Sequence, residues 1–442
     1  MKEKIIELAK QMQPELAAFR RDFHKHPELA WTEFRTTAII ATELEKAGFE
    51  ILIGEEAICG NYMKNVPADE VLAACTKRAI SQGADPRFVD AMAGGKTALV
   101  GVLDTKKPGP VVALRFDTDA LPITESSHPD HPPVKAGYVS INPGIMHSCA
   151  HDGHAAIGIG MAMILSQLKN ELTGVIKLIF QPAEEGVQGG AVGIIKKGIV
   201  DDADFMLSFH MGLHSAESTI YCETNDFKAT TKYDINFHGK SAHAGANPED
   251  GKSALIAAAA ATLALNSIPR HSKGASRIHI GVLNSGTASN IVPDHAYLEI
   301  ETRGETTEIN EFMKANLYRI LDGIAKAYDI QVNLDPAIVE TGEAISATCD
   351  PCLVSLTRAT AKDLGIFEHI KPLAGLGGSE DYTFFMEHVQ KKGGKATHFI
   401  LPTKLSAKHH HPNFDIDDSM LWKGVAQLTL MTVKSQNLLT QP

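Results

Sequence analysis

A chain of 442 residues exceeds the size at which one hydrophobic core stops growing, so two domains are expected. With 44% hydrophobic and 21% charged residues the composition is that of a globular protein, not a disordered or fibrous one. The formal net charge of −11 argues against a basic surface for nucleic acid or anionic membrane, and the longest apolar run, residues 254–265, is alanine-rich and too short to span a bilayer.

The N-terminal segment is charged and amphipathic, with Ile5, Leu8, Met12, Leu16 and Phe19 at helical spacing over residues 3–26. It lacks the apolar core and cleavage site of a signal peptide. Six scattered cysteines make no disulfide framework, so a reducing, cytoplasmic setting is expected. Cys349 and Cys352 have CxxC spacing but no second pair to complete a zinc site. A second helix is predicted over 33–47, stopped by Gly48. Residues 55–95 look helical but weakly patterned, and read as an insertion near the edge of the first domain.

β-rich runs follow at 98–103, 111–116, 175–180 and 205–209, with helical stretches at 153–168 and 191–197 between them. Strands alternating with helices predict an α/β domain with a largely parallel central sheet. From about Lys228 the pattern changes: strand, Ala-rich helix, two strands, helix and strand, through about residue 334. This βαββαβ order predicts an inserted α+β module over 228–338. After residue 341 the α/β character resumes, so the first domain is split into 1–227 and 339–442.

Chemistry concentrates at the predicted strand ends, where open α/β sheets gather their ligands. Residues 147–154 read His-Ser-Cys-Ala-His-Asp-Gly-His, opening a helix. A lone Cys-x-His is more often a buried thiol beside a helix cap. Three histidines, a cysteine and an aspartate in eight residues favour a metal site, with Cys149 and His151 as candidate ligands. Glu184 and Glu185 follow the strand at 175–180; two dry carboxylates there would repel, and a cation resolves the conflict. One of the pair can hold metal while the other serves water as general base. His210 ends the strand at 205–209, and His409-His410-His411 form an internal triplet. Asp117 and Asp119 could orient metal-bound imidazoles, the alternative being ordinary loop capping. In the inserted module His243 could donate to an oxyanion, while Asn290 and Arg303 could bind a substrate carboxylate.

The segments RRDFHKHPELAWTEFRT, LRFDTDALPI, MHSCAHDGHAA, LIFQPAEEG, GKSAHAGANPEDG, SNIVPD, GGSEDYTFF and HHHPNFD run in order from residue 20 to 415. Together they resemble the co-catalytic metal amidohydrolases and carboxypeptidases of the aminoacylase and carboxypeptidase G type, in the branch with hippurate and auxin-conjugate hydrolases. The resemblance implies a metallopeptidase-like catalytic domain with an inserted lid or dimerisation domain. It implies two divalent ions, manganese or zinc with cobalt a third candidate, on Cys149, His151, Glu185, His210 and His410. His410 is taken from its triplet because it stands four residues before Phe414. Glu184 would be the general acid/base. His243 would reach across a dimer, and Asn290 and Arg303 would hold the substrate carboxylate. The implied reaction is hydrolysis of an N-acyl or N-aroyl amino acid, a p-aminobenzoyl-glutamate-like substrate favoured. The implied assembly is a homodimer, or a heterodimer with a related chain. Ala150 stands where the family usually has glycine; in a positive-φ conformation alanine costs on the order of 1 kcal/mol. The alternatives are a catalytically silent or partner-dependent member of a heteromeric amidohydrolase, and a metal-free binding module.

Overall fold

The computed structural model describes residues 1–436 and 438. The chain forms two compact units: unit 1 is Met1–Asn225, Ala347–Leu376 and Asp381–Pro442, and unit 2 is Asp226–Ser346 with Gly377–Glu380. No helix among the described residues is long and apolar enough to cross a membrane.

The strands, in chain order, are β1 Glu50–Ile53, β2 Leu99–Asp104, β3 Val111–Asp117, β4 Val175–Gln181, β5 Phe205–Ser215, β6 Thr219–Tyr221 and β7 Thr224–Asn225 in unit 1. Unit 2 follows with β8 Ala229–His238, β9 Ser276–Ser285, β10 His295–Gly304, β11 Gln331–Val332 and β12 Glu340–Ala344. The chain returns to unit 1 with β13 His369–Lys371, β14 Ala374–Gly375 and β15 Lys395–Thr403.

Unit 1 is built on an eight-stranded sheet of order β1-β2-β4-β3-β5-β15-β6-β13. Its centre, β4-β3-β5-β15, is parallel. The sheet as a whole is mixed, because β1 and β2 run antiparallel and β2 is antiparallel to β4. The reason is chain length: a parallel return needs a crossover of a dozen or more residues, and residues 105–110 are too few to bring β3 back in the direction of β2. Residues 55–95 are not an appendage. Their helices Asp69–Ser81 and Pro86–Ala91 link β1 to β2, and Leu72, Ala79, Phe88, Val89 and Met92 enter the main core.

The helix His151–Leu168 is apolar all round and almost wholly buried, as such a helix must be. Gly158 lets it approach the sheet; a Cβ there would lie 2.5 Å from the Phe180 ring. Its N-terminus is pinned by charge. Arg20 is fully buried and reaches Asp152 (3.0 Å), Asp415 (2.5 Å) and Asp418 (3.4 Å). His24 bridges Asp152 (2.8 Å) and Glu125 (3.0 Å). Burial alone would lower the His24 pKa, but these two carboxylates outweigh it and raise it to about 9.

Unit 2 has an antiparallel sheet of order β11-β8-β10-β9, with β12 also pairing β8. The unit therefore runs past residue 338 to Ser346. The helices Ala254–Asn266 and Thr307–Tyr328 cover one sheet face, with Tyr233, Ile235, Phe237, Leu298, Ile300 and Leu317 in the core between. The outward residues of β10 (Tyr297, Glu299, Glu301, Arg303) stay at least part exposed on the other face.

The His24 bridge gives a pH dependence of stability. Its pKa is raised in the fold from a reference near 6.5. The folded state keeps this proton where the unfolded chain has lost it. The stabilisation is therefore complete below about pH 6.5 and is lost as pH rises through about 9. Thermal unfolding followed from pH 6 to 10 should show a falling midpoint across that window in the wild type and a flatter profile in His24→Gln; parallel profiles would refute the bridge.

Candidate metal centre

The central parallel strands bring their carboxyl ends to one edge of the sheet, and the chemistry collects there. Asp117 ends β3, Glu184 and Glu185 follow β4, His210 lies in β5, and the triplet 409–411 follows β15. Cys149 and Ala150 lead into the helix that begins at His151. The donor atoms lie within 4.8 Å of one another in three overlapping sets: Cys149, His151 and His210; Cys149, Glu185 and His410; His151, Glu184 and Glu185.

Hydrogen bonds set which ring nitrogen is free on each histidine. His151 Nδ1 donates to the Asp119 carbonyl at 2.8 Å, and its Nε2 faces Asp117 and Glu184 at 3.5 and 3.9 Å. His210 Nδ1 donates to the Met211 carbonyl at 2.8 Å, which turns Nε2 toward Cys149 Sγ at 3.5 Å. His154 is excluded as a donor. Its Nδ1 bonds Asp117, and its Nε2 accepts the Met211 N–H at 2.8 Å. His409 is not among the ligands expected from the sequence, yet its Nε2 donates to the Gly212 carbonyl at 2.7 Å and its Nδ1 lies 3.3 Å from Cys149 Sγ. Nothing in a run of three histidines marks that contact in advance. His410 is more exposed, and its Nε2 lies 3.5 Å from Glu185 Oε1.

A divalent cation fits this donor set. His151 Nε2 and Glu185 Oε1 are buried with no hydrogen-bond partner among the described residues. Burial, then the Glu185 charge, pushes the Cys149 thiol well up. Burial keeps His210 neutral, and also lowers His409 to about 4. Glu185 is held low against its burial by His410 and His151. Neutral imidazoles, a thiolate and an ionised carboxylate are the forms that bind metal. Against its burial, Asp117 and Cys149 hold His151 well above the usual imidazole range, so His151 and Cys149 would each give up a proton to an arriving cation.

The turn carrying the glutamates is held by two other carboxylates. Asp119 accepts the backbone N–H of Glu184 at 3.1 Å and of Glu185 at 2.9 Å, one on each oxygen. Glu33 accepts the Ala183 N–H at 3.0 Å and the Thr97 hydroxyl at 2.6 Å. Asp119 thus steadies His151 through its carbonyl and the glutamate turn through its side chain. Asp117 takes Arg115 at 2.7 Å as well as His154. Arg115 continues to Asp381 at 3.0 Å. Ala150 does adopt positive φ, at 68°, and so do Ala183 at 56° and His410 at 60°.

The remaining candidates lie in unit 2. His243 is exposed, and its Nδ1 accepts the N–H groups of Gly245 and Ala246 at 3.1 and 3.0 Å, leaving Nε2 as an outward donor. Asn290 is beside it: its carbonyl accepts the Ala244 N–H at 3.0 Å, and His243 bridges Ile291. Arg303 is elsewhere. It sits eight residues along β10 from His295, about 27 Å at strand rise. One chain does not bring Asn290 and Arg303 together.

Comparison with known proteins agrees with this geometry. Residues 113–432 match the peptidase family M20/M25/M40, and the chain belongs to that family. It is an amide-bond hydrolase with a divalent-metal site. It is 41% identical to the indole-3-acetyl-aspartic acid hydrolase of Enterobacter agglomerans, over 96% of both chains. It is 40% identical to one chain of the p-aminobenzoyl-glutamate hydrolase of Escherichia coli (strain K12), over 96% of this chain and 97% of that one. Among solved structures, the aminobenzoyl-glutamate utilization protein from Klebsiella pneumoniae superposes with a TM-score of 0.82 at 36% identity, covering 97% of each chain.

Asp119→Asn leaves one oxygen for two N–H groups. We expect a 10–100-fold loss in metal affinity or turnover without unfolding, as for other residues that orient ligands. Chelator competition and hydrolysis assays check this; wild-type values in both would show that the turn holds itself.

Proposed function

We propose that this chain hydrolyses the amide of an N-acyl or N-aroyl amino acid, with p-aminobenzoyl-glutamate-like conjugates favoured, using two divalent ions on Cys149, His151, Glu185, His210 and His410. Manganese or zinc suits the set, with cobalt a third candidate. The observation that carries the reading is the convergence of these donors around the buried His151 Nε2 and Glu185 Oε1, which make no hydrogen bond among the described residues. The names of the relatives support the substrate class, since the 40% and 41% identical proteins are named for glutamate and aspartate conjugates.

Divalent ions held by these residues would supply Lewis acidity and lower the pKa of water. Glu184 takes the proton of the attacking water as a C–O bond forms at the amide carbonyl. Glu184 is poised for this: its carboxylate is nearly buried, beside His151, and its backbone is fixed by Asp119. The partner subunit's His243 donates Nε2–H to the developing oxyanion. Glu184 then passes its proton to the leaving amine, completing the cleavage. Asn290 and Arg303 hold the substrate carboxylate, one from each protomer, which fits their separation along β10.

Unit 2 serves as lid and dimerisation domain in this reading. In support, the helix Ala254–Asn266 is apolar on its outer face too, with Ile256 50% and Leu263 77% exposed. A homodimer or a heterodimer with a related chain satisfies that surface. The Escherichia coli relative is named as one component of its hydrolase, which favours a multi-chain assembly. A cytoplasmic setting is supported by six free thiols.

Glu184→Gln should lower kcat about 10²–10⁴-fold while metal content by elemental analysis stays unchanged. Turnover near wild type would remove Glu184 from the role. A screen of aroyl- and acyl-amino acids with manganese, zinc and cobalt supplied in turn tests the reaction itself, and hydrolysis of none of them overturns it.

A further inference from the structure

One cluster of charge in unit 2 enters the proposed reaction only through Arg303, and its other two cations have no role there. Arg303 and Arg277 are direct cross-strand partners in the β10–β9 ladder. Two like charges so paired destabilise a sheet, with Cβ atoms about 4.5–5.5 Å apart on the same face. Lys228 stands immediately before β8, whose Ala229 pairs with Gly304, and so joins the same end of the sheet. The three cations line a single cavity of about 160 Å³ together with Glu305. The local carboxylates are already engaged. Glu301 takes Arg303 Nε and one Nη at 2.6 and 3.1 Å, Asp226 takes Lys228, and Glu305 accepts the Ala275 N–H at 2.8 Å. The Arg277 guanidinium has no ion pair or side-chain hydrogen bond among the described residues.

We propose that Arg303, Arg277 and Lys228 form a pocket that reads two carboxylates on the amino-acid half of the substrate, making this hydrolase selective for conjugates of glutamate or aspartate. The inference rests on the proposed reaction and adds the element of charge selection. Arg303, through the Nη that Glu301 leaves open, takes the α-carboxylate. Arg277 presents its whole fork to the side-chain carboxylate, with Lys228 beside it. A guanidinium matches a carboxylate two-prong to two-prong. The spacing of directly opposed side chains on adjacent strands also suits two acid groups separated by a short carbon chain. A single carboxylate would leave Arg277 and Arg303 repelling each other; a dianion relieves both.

The test compares an N-aroyl-glutamate with the matching N-aroyl-glutamine, equal in shape and one charge apart. Wild-type enzyme loaded with metal should favour the glutamate by about 10- to 100-fold in kcat/KM, mostly through KM, and this preference should shrink as ionic strength rises. In Arg277→Gln the ratio should fall toward one, and Lys228→Gln should lower it in part. Arg277 lies on an exposed edge strand, so the fold should survive, and an unchanged thermal midpoint checks this. Calorimetric binding of both compounds to Glu184→Gln protein, with and without the Arg277 change, gives a second readout free of turnover. Equal losses on the two compounds, or no change in their ratio, overturn the pocket while leaving the hydrolase reading intact. Failure of the wild type to cleave or bind either compound defeats the reaction and the pocket together.

Discussion

A thiol, imidazoles and carboxylates held out of water within a few ångströms of one another form the constraint that governs the rest of unit 1. Burial, with the Glu185 charge behind it, drives Cys149 toward the neutral thiol, and burial beside His154 and His409 drives His210 toward the neutral ring. Glu185 stays ionised only because His410 and His151 oppose its burial. Buried charge is tolerated only when paired. A divalent cation held by Cys149, His151, Glu185 and His210 would satisfy these groups at once, displacing the thiol proton, taking imidazole lone pairs and offsetting the carboxylates. The central parallel strands exist, in functional terms, to deliver these groups to one sheet edge.

Holding them there costs backbone strain. An L-residue in the left-handed region costs roughly 1–2 kcal/mol, and Ala150, Ala183 and His410 all lie in it. Each is braced. The Ala150 carbonyl accepts the Gly153 and His154 N–H groups at 2.9 and 3.1 Å, so it caps a helix that is locked by the Arg20 network. Ala183 is tied to Glu33 at 3.0 Å. The His410 N–H reaches the Ser148 carbonyl at 2.9 Å, which joins the two loops that flank Cys149. Ala150 therefore keeps its positive φ at the head of a buried helix whose first N–H groups its carbonyl accepts.

The sequence made much of this legible, and the limits have physical causes. Strand runs and motif positions were readable because hydrophobic periodicity and strand-end placement are local properties. The Cys149–His151 pair and the adjacent glutamates stood out because their chemistry is costly without a cation. The mixed sheet was not readable from strand–helix alternation; it follows from the short link at residues 105–110. Nor was the use of Asp119, which works through both its carbonyl and its carboxylate. His154 and His409 look alike in sequence, and only their hydrogen bonds separate them. A backbone N–H occupies the one lone pair of His154, whereas His409 keeps Nδ1 open toward Cys149.

Unit 2 turns one strand into a ruler. β10 runs from His295, just after the Asn290–His243 corner, to the arginine pair at Arg303, eight positions further along. A small amino-acid conjugate cannot span about 27 Å. If both ends serve one substrate, they must come from different protomers, and each dimer then has two equivalent places where opposite ends meet, as two-fold symmetry requires. Such an arrangement makes catalysis depend on assembly, since neither end of the ruler is complete alone. In the proposed reaction two jobs would be separated: the histidine end would respond to charge that develops during reaction, while the arginine end would meet charge the substrate carries from the start. Changes at the first act on kcat, and changes at the second on KM.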